Sequence, residues 1–280
     1  MPFLELFDET LDINSTLNYE LSLQVSPDGL AYSILDTLRN KFVLLRTFEP
    51  YENKYLNDDR TREILSKDDF LNKQFKKVNI IVASQKFTLV PSPLFDPAKK
   101  DEYFKFNHLS EENNVVIANK ISDPDSFLVF AVTRPLIDIF TSNFPGSHPF
   151  HQIKPLMNHI SYSRKNVHEN YIHIHVEKEY FNLIIFNQKT LKFCNTFNYR
   201  NITDILYFVL NVFKSLDIKQ EETIHFSGLT EKYDDLSSTF SIYIRNIKFS
   251  EPSGNFTFSY VFDDTELHRF INLFTVTNCE

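Results

Sequence analysis

Two stretches of the chain share one order of alternating and continuous hydrophobic runs. In the first, Leu21, Leu23 and Val25 alternate with polar residues, which is typical of a half-buried strand. The predicted elements are strands from Tyr19 to Val25, Leu30 to Leu35 and Phe42 to Leu45, a helix capped by Asp58-Asp59 that includes Ile64, Leu65, Phe70 and Leu71, and a fully apolar strand from Val78 to Val82. Asp28-Gly29 predicts a hairpin turn between the first two strands.

The same order returns roughly 150 residues later. The predicted elements are strands from Tyr171 to Val176, Phe181 to Phe186 and Leu191 to Phe197, a helix over 202–216, and a strand from Thr223 to Phe226. The helix has the clearest pattern, because Ile205, Val209, Val212 and Phe213 form an apolar stripe at helical spacing. The sequence therefore predicts a duplicated α/β protein, with one lobe over 1–160 and a second over 161–280.

The segments outside the two copies are less regular. They are predicted to hold a strand at Phe87 to Val90, a helix at Ala98 to Phe106, a hairpin from Val115 to Val132, a helix after Arg134-Pro135, a crossover between the lobes at 147–168, a helix around 234–244, a strand at Ile247 to Phe249 and a closing helix with Leu267, Phe270, Ile271 and Phe274 inward.

The tandem β-β-β-α-β-α-β pattern resembles the actin-like ATPase fold, in which each lobe has a ribonuclease-H-like core. The segment Phe87-Thr88-Leu89-Val90-Pro91-Ser92-Pro93-Leu94-Phe95-Asp96 is similar to a motif of an uncharacterised bacterial family assigned to that fold. The resemblance implies glycine-containing turns after the first strand of each lobe, where backbone N–H groups approach the phosphates of a nucleotide.

The chain departs from that pattern at each phosphate turn. The first turn reads Ser26-Pro27-Asp28-Gly29, and Pro27 has no N–H to offer. The second reads Glu177-Lys178-Glu179, whose carboxylates repel phosphate, and only Ser227-Gly228 stands where the adenosine-side turn would be glycine-rich. We therefore expect no bound cofactor and a non-catalytic interaction or scaffold role, a pseudo-ATPase. A nucleotide-binding ATPase with divergent loops is the alternative, in which Ser227 and Gly228 are the cofactor-binding candidates.

A metal-dependent hydrolase is a second alternative. His173 and His175 lie two apart on a predicted strand, so both side chains project from the same face, together with that of Glu177. Such a group ligates zinc or iron when further ligands converge, and His168 and Glu169 lie just upstream. A polar strand face packed against a helix explains the same residues without a metal. No Gly-x-Ser-x-Gly elbow or Walker-type loop occurs in the chain.

Charge and composition limit the kinds of partner and the compartment that we expect for this protein. The net charge of −8 and the absence of a concentrated basic stretch argue against nucleic acid, because that affinity begins with neutralisation of phosphates. The longest membrane-like run, Ile205 to Leu210, is far shorter than the roughly 20 residues that span a bilayer. Two cysteines and an acidic N-terminal segment favour a cytoplasmic protein. The expected partner is a protein of unknown identity, and the sequence leaves the oligomeric state open.

Overall fold

The computed structural model describes residues 2–50, 55–109, 111–165, 170–231 and 234–279. Packing groups the chain into two units. The first contains residues 1–158, 253–265 and 272–280, and the second contains residues 159–252 and 266–271. The C-terminal segments 253–265 and 272–280 thus pack with the first unit, whereas the predicted division at residue 160 assigns them to the second lobe. The division into two independent lobes stays a prediction.

The first unit is built on one mixed sheet with helices on it. Its elements in chain order are β1 (Leu4–Phe7), β2 (Tyr19–Ser26), β3 (Gly29–Asp36), β4 (Lys41–Phe48), α1 (Asp58–Lys67), β5 (Lys77–Val82), β6 (Phe87–Pro91), α2 (Lys100–Asn107), β7 (Asn114–Ile121), β8 (Ser126–Thr133), α3 (Arg134–Asn143), β9 (Pro149–His151) and α4 (Ile153–Ser163), which continues into the second unit. The main sheet runs β1-β4-β3-β2-β5-β9. It covers one hydrophobic core against α1 and α3, with Leu21, Ile34, Leu65 and Ile139 among its members.

An insertion between β5 and α3 forms a separate three-stranded sheet, β6-β8-β7. The side chain of Asn119 on β7 joins it to the main sheet. Its Nδ2 donates to the Pro149 carbonyl at 3.2 Å, and its Oδ1 accepts from the His151 N–H at 2.9 Å. One amide thus satisfies a donor and an acceptor on the free edge of β9, in place of a further strand.

The second unit repeats the main sheet. It contains β10 (Asn170–Val176), β11 (Tyr180–Asn187), β12 (Thr190–Asn198), α5 (Ile202–Leu216), β13 (Thr223–Gly228), α6 (Asp235–Ser241) and β14 (Asn246–Phe249). The strand order is β12-β11-β10-β13-β14, which matches β4-β3-β2-β5-β9 of the first unit element for element. Val25 lies opposite Leu30 and beside Val82, and Val176 lies opposite Phe181 and beside Gly228. The predicted duplication is confirmed, with an offset of 151 residues from Val25 to Val176.

Helix α5 follows the predicted stripe. Val209, Val212 and Phe213 are buried against the sheet, whereas Phe208 is only half-buried. A capping box fixes the start of the helix, since Asn201 accepts from the Asp204 N–H and Asp204 accepts from the Asn201 N–H.

The structure corrects three sequence predictions and adds two strands. The helix after Asp58 ends at Lys67, because Asp68 Oδ1 accepts the N–H groups of Phe70 and Leu71 and so starts a turn. Residues 147–165 hold β9 and the whole of α4 rather than a plain crossover. Two strands were missed, β1 and the short β15 (Thr257–Phe258), and both pair with β4. The predicted closing helix is a 3₁₀ turn, a short α7 (Ile271–Thr275) and a second 3₁₀ turn.

Candidate functional site

The β2–β3 turn of the first unit is held by hydrogen bonds to a serine side chain and to the backbone of a later segment. Ser26 Oγ accepts from the Asp28 N–H at 3.2 Å, and the Pro27 carbonyl accepts from the Leu56 N–H at 2.7 Å. Gly29 has a φ of +151°, and a Cβ there would lie 2.4 Å from the Phe48 carbonyl oxygen. The glycine is therefore required by the close approach of a neighbouring strand, which explains it without any ligand.

The equivalent β10–β11 turn of the second unit is also closed. The Glu177 N–H donates to the Tyr180 carbonyl at 2.8 Å, and the Glu177 carbonyl accepts from the Tyr199 hydroxyl at 2.6 Å. The Glu179 carbonyl accepts from the Tyr199 N–H. Each of these backbone groups therefore has a partner within the unit, and the N–H of Glu177 is not available to an anion.

Gly228 ends β13 with a φ of +83°. A Cβ on it would lie 2.1 Å from the Val176 carbonyl oxygen, and that same carbonyl accepts from the Leu229 N–H at 2.7 Å. Beyond it, Asp234 Oδ2 accepts from the Thr230 hydroxyl and from the Glu231 N–H. The structure thus places Gly228 in contact with β10, and the turn after it is fixed by Asp234.

Four side chains at these strands form one hydrogen-bonded chain. Ser227 Oγ lies 2.8 Å from His173 Nε2 and 2.8 Å from His175 Nδ1. His175 Nε2 lies 3.2 Å from Glu177 Oε1. All four residues are buried. The strand register produces this contact, because Ser227 sits beside His175 in the parallel β10–β13 pair.

The hydrogen-bond partners determine which ring nitrogen of each histidine carries its proton. The Glu177 carboxylate only accepts, so His175 carries its proton on Nε2 and its Nδ1 accepts from the Ser227 hydroxyl. Ser227 Oγ then accepts from His173, which carries its proton on Nε2. His173 Nδ1 is left as an acceptor with no hydrogen-bond partner among the described residues. Every N–H and O–H donor of these four side chains therefore has an acceptor. The unpartnered group is the acceptor lone pair on His173 Nδ1.

Further rings extend this polar face. Tyr171 stacks on His225 with ring centroids 4.3 Å apart, and the rings of His159 and His173 are 5.8 Å apart. Burial lowers the pKa of His159 and of His225 to about 4, and it holds the pKa of His173 well below its usual value. Burial also raises the pKa of Tyr171 to about 12. His159, His173 and His225 are therefore neutral at pH 7.

Sequence reasoning grouped His173, His175 and Glu177 correctly on one strand face but missed their partner. In the sequence only the neighbouring Gly228 marks Ser227, and its bond to the histidines depends on the pairing of β10 with β13, strands that lie about 50 residues apart. His159 and His225 were not singled out, since each is isolated in the sequence. His168 and Glu169 lie outside the described residues.

The network contains the residue types of a Ser-His-Glu catalytic relay, but a substrate cannot reach its serine. A nucleophilic hydroxyl must reach its substrate, and Ser227 is 0% exposed. The nearby Leu229 N–H, which would serve an oxyanion, is bonded to Val176. Among the described residues, no group of three or more His, Cys, Asp or Glu is arranged to hold a metal ion. Ser227, His173, His175 and Glu177 thus hold one another in a buried hydrogen-bonded network.

Comparison with known proteins identifies a matching family model and solved structures of similar fold. A model of the family described as "Protein of unknown function (DUF3822)" matches residues 8–247. A crystal structure from Bacteroides thetaiotaomicron, a protein with actin-like ATPase fold and unknown function, is similar with a TM-score of 0.78 and 22% identity, over 96% of this chain and 99% of that one. The chain therefore has the actin-like ATPase fold, as its sequence predicts.

A second similar structure is the PilM-PilN type IV pilus biogenesis complex, with a TM-score of 0.57 and 11% identity over 92% of this chain and 98% of that one. AlfA from the B. subtilis plasmid pLS32 matches with a TM-score of 0.45 and 9% identity, over 94% and 99% of the two chains. Among curated proteins, none matches this chain. Within the described residues, every helix is too short or too polar to cross a bilayer.

Proposed function

The chain belongs to the DUF3822 family of unknown function, and we propose that it is a non-catalytic actin-like module that binds another protein. It retains the duplicated frame and uses the phosphate turns for internal contacts. One observation carries this proposal. At each turn the groups that would face a phosphate are absent or already bonded, with Pro27 in the first unit and the Glu177 N–H and Gly228 in the second.

The turns also have the wrong charge for an anion. Glu177 is buried and bonded to His175, and Lys178, the one cation in 177–179, is followed in the sequence by a second carboxylate, Glu179. A polyphosphate here would lose its hydration and face two carboxylates without a compensating set of N–H donors. The PilM-PilN complex supports the binding role, since a protein of this fold is there joined to a second protein.

Thermal denaturation with ATP and magnesium tests the proposal. A ligand present at 100 times its dissociation constant stabilises the folded state by about 2.7 kcal/mol. Since about 1 kcal/mol moves the melting temperature by about 2 °C in a chain of this size, the shift would be about 5 °C. We expect no shift with millimolar ATP and magnesium, and no hydrolysis above background. A shift that appears with magnesium and disappears with a chelator would establish the nucleotide-binding alternative instead.

A further inference from the structure

Strand β12 is the open edge of the second sheet. It pairs with β11 on one side, and no further strand lies beyond it in the described sheet. It spans nine residues, Thr190–Asn198, against four for β14 at the opposite edge. It contains no proline or glycine, and its only register shift falls near its start, opposite Ile185 and Phe186. Long regular edges of this kind are templates for pairing with another strand.

The pairing pattern shows which backbone groups face outward. The Tyr199 N–H donates to the Glu179 carbonyl, so in the alternating antiparallel pattern residues 193, 195 and 197 also bond to β11. Cys194, Thr196 and Asn198 therefore direct their N–H and carbonyl groups away from the sheet. The Thr196 N–H is held by Asn195 Oδ1 at 2.9 Å. The N–H groups of Cys194 and Asn198 remain as outward donors.

The edge has an apolar floor on the α5 side. Phe193 and Phe197 are half-buried and stack with centroids 6.0 Å apart, and Phe197 stacks on Phe208 at 4.9 Å. Tyr207 continues this row at 5.6 Å from Phe208 and is 63% exposed. Alternate side chains of an added strand would cover these rings.

The charge of the edge is opposite to that of the chain. Residues 180–203 contain no Asp or Glu, in a protein whose net charge is −8. They contain three cations, Lys189, Lys192 and Arg200, which are all exposed and form no ion pair with a described residue. A second copy of β12 would bring the same three cations to this edge, and such a gathering of like charges disfavours self-pairing. An acidic strand would neutralise them.

We infer that β12 is a docking edge for an extended, acidic segment of a partner protein, which adds to the sheet as a further strand. Main-chain bonds to Cys194 and Asn198 would supply affinity, the aromatic row would take alternate apolar side chains, and the three cations would select acidic residues. This inference rests on the proposed binding role and names its surface.

Two synthetic peptides test the inference, one alternating Glu with Val and the other Lys with Val, both with blocked ends. Amide hydrogen exchange of the intact chain is followed by NMR with each peptide. We expect the Glu-Val peptide to slow exchange at Cys194 and Asn198 by at least about tenfold and the Lys-Val peptide to have no effect. Protection elsewhere, or equal effects of the two peptides, overturns the inference. Concentration-dependent protection without peptide assigns the edge to a second copy and also overturns it.

Two pairs of variants distinguish the contribution of backbone hydrogen bonds to peptide binding from the contribution of charge. The variant Asn198→Pro removes an outward N–H, whereas Asn198→Ala keeps it, so only the first should weaken binding. The triple reversal Lys189→Glu, Lys192→Glu and Arg200→Glu should weaken binding at least about tenfold. Its control makes the same change of net charge at Lys73→Glu, Lys99→Glu and Lys105→Glu, exposed residues of the first unit, and should bind normally. Equal losses in the two triples would show a non-specific charge effect and overturn the docking edge.

The outcome is independent of the nucleotide experiment. If neither peptide binds and ATP does not bind, the binding role survives and β12 is the wrong surface. If ATP with magnesium stabilises the chain, the non-catalytic role fails whatever the peptides do.

Discussion

At the residue scale, the two units carry buried polar side chains at matching positions. Ser22 lies beside Asn79 in the first sheet, and His173 lies beside His225 in the second, at the same place in the strand pairing. Ser22, its cross-strand neighbour Ser33 and Asn79 have side-chain atoms with no hydrogen-bond partner among the described residues. In the second unit, Ser227 joins the histidines into a bonded chain. The same sheet position is unpaired in one copy and hydrogen-bonded in the other.

This contrast gives a paired prediction for two buried serines. Ser227→Ala leaves a histidine N–H without an acceptor, and we expect a loss of about 1–3 kcal/mol in the free energy of unfolding. Ser33→Ala removes a buried hydroxyl that has no hydrogen-bond partner in the described part of the chain, so we expect it to be neutral or stabilising. Urea denaturation of both variants is the measurement. Equal losses would mean that the Ser227 bonds contribute nothing beyond packing.

The neutral histidines predict loss of stability in acid. The unfolded chain binds protons at its histidines below pH 6.5, whereas the pKa of about 4 for His159 and His225 delays protonation of the folded chain. Stability should therefore fall as the pH decreases from 6.5 to 4, by up to about 1.4 kcal/mol per pH unit for each histidine. In His159→Gln the slope of unfolding free energy against pH should be smaller by up to one proton. An unchanged slope would show that His159 is protonated in the folded state.

At the element scale, the edge strands of the two sheets differ in whether their outward backbone groups are hydrogen-bonded. β12 stays open, whereas the edge of β9 is closed by the amide of Asn119 from the inserted sheet. His151 at the end of β9 adds a second tie, since its Nδ1 accepts from the Ile153 N–H at the start of α4 and its Nε2 donates to the Ser84 carbonyl. The Asn119 side chain thus bonds to the edge of β9 as a further strand would, and the His151 side chain caps the start of α4.

The amide bridge predicts a specific sensitivity at residue 119. Asn119→Asp replaces the donor to Pro149 by an oxygen, which leaves a buried carbonyl facing a buried carboxylate. We expect a loss of about 1–3 kcal/mol or more in the free energy of unfolding. Asn114→Asp, at the half-buried start of the same strand, should change it by less than about 0.5 kcal/mol. Similar values for the two variants would contradict a bridging role.

At the scale of the whole molecule, the C-terminal segment belongs to the first unit. Leu273, Phe274 and Val276 are fully buried there, and Thr275 Oγ1 donates to the Pro155 carbonyl. Cys279 is buried as well, and its sulfur accepts from Asn158 Nδ2 at 3.0 Å. The last residues described are thus buried within the first unit.

Removal of residues 272–280 should therefore weaken the first unit and spare the second. Each buried apolar side chain contributes about 1.5–3 kcal/mol, so we expect a loss of several kcal/mol. Amide exchange should accelerate in β2 and β5 while β10 and β11 keep their protection. A faster exchange of β10 and β11 instead would show that the tail stabilises the second unit.

The strands and the main helices were predictable because each has a local signal. Alternation in Leu21, Leu23 and Val25 and the stripe of α5 depend only on which face is buried. The site was predictable only in part. His173, His175 and Glu177 share a face by strand period, but their bond to Ser227 depends on a pairing between distant strands.

The sequence by itself determined the order of elements, the duplication and the absence of glycine-rich phosphate turns, because periodicity and backbone freedom are local properties. Only the tertiary structure decided that Gly29 and Gly228 face neighbouring carbonyls, that Asn119 closes the edge of β9, and that the tail packs with the first unit. These contacts join residues as far as 251 positions apart, such as Ser259 and Asp8. Close approach of such residues is set by the packing of whole elements, which no local pattern records.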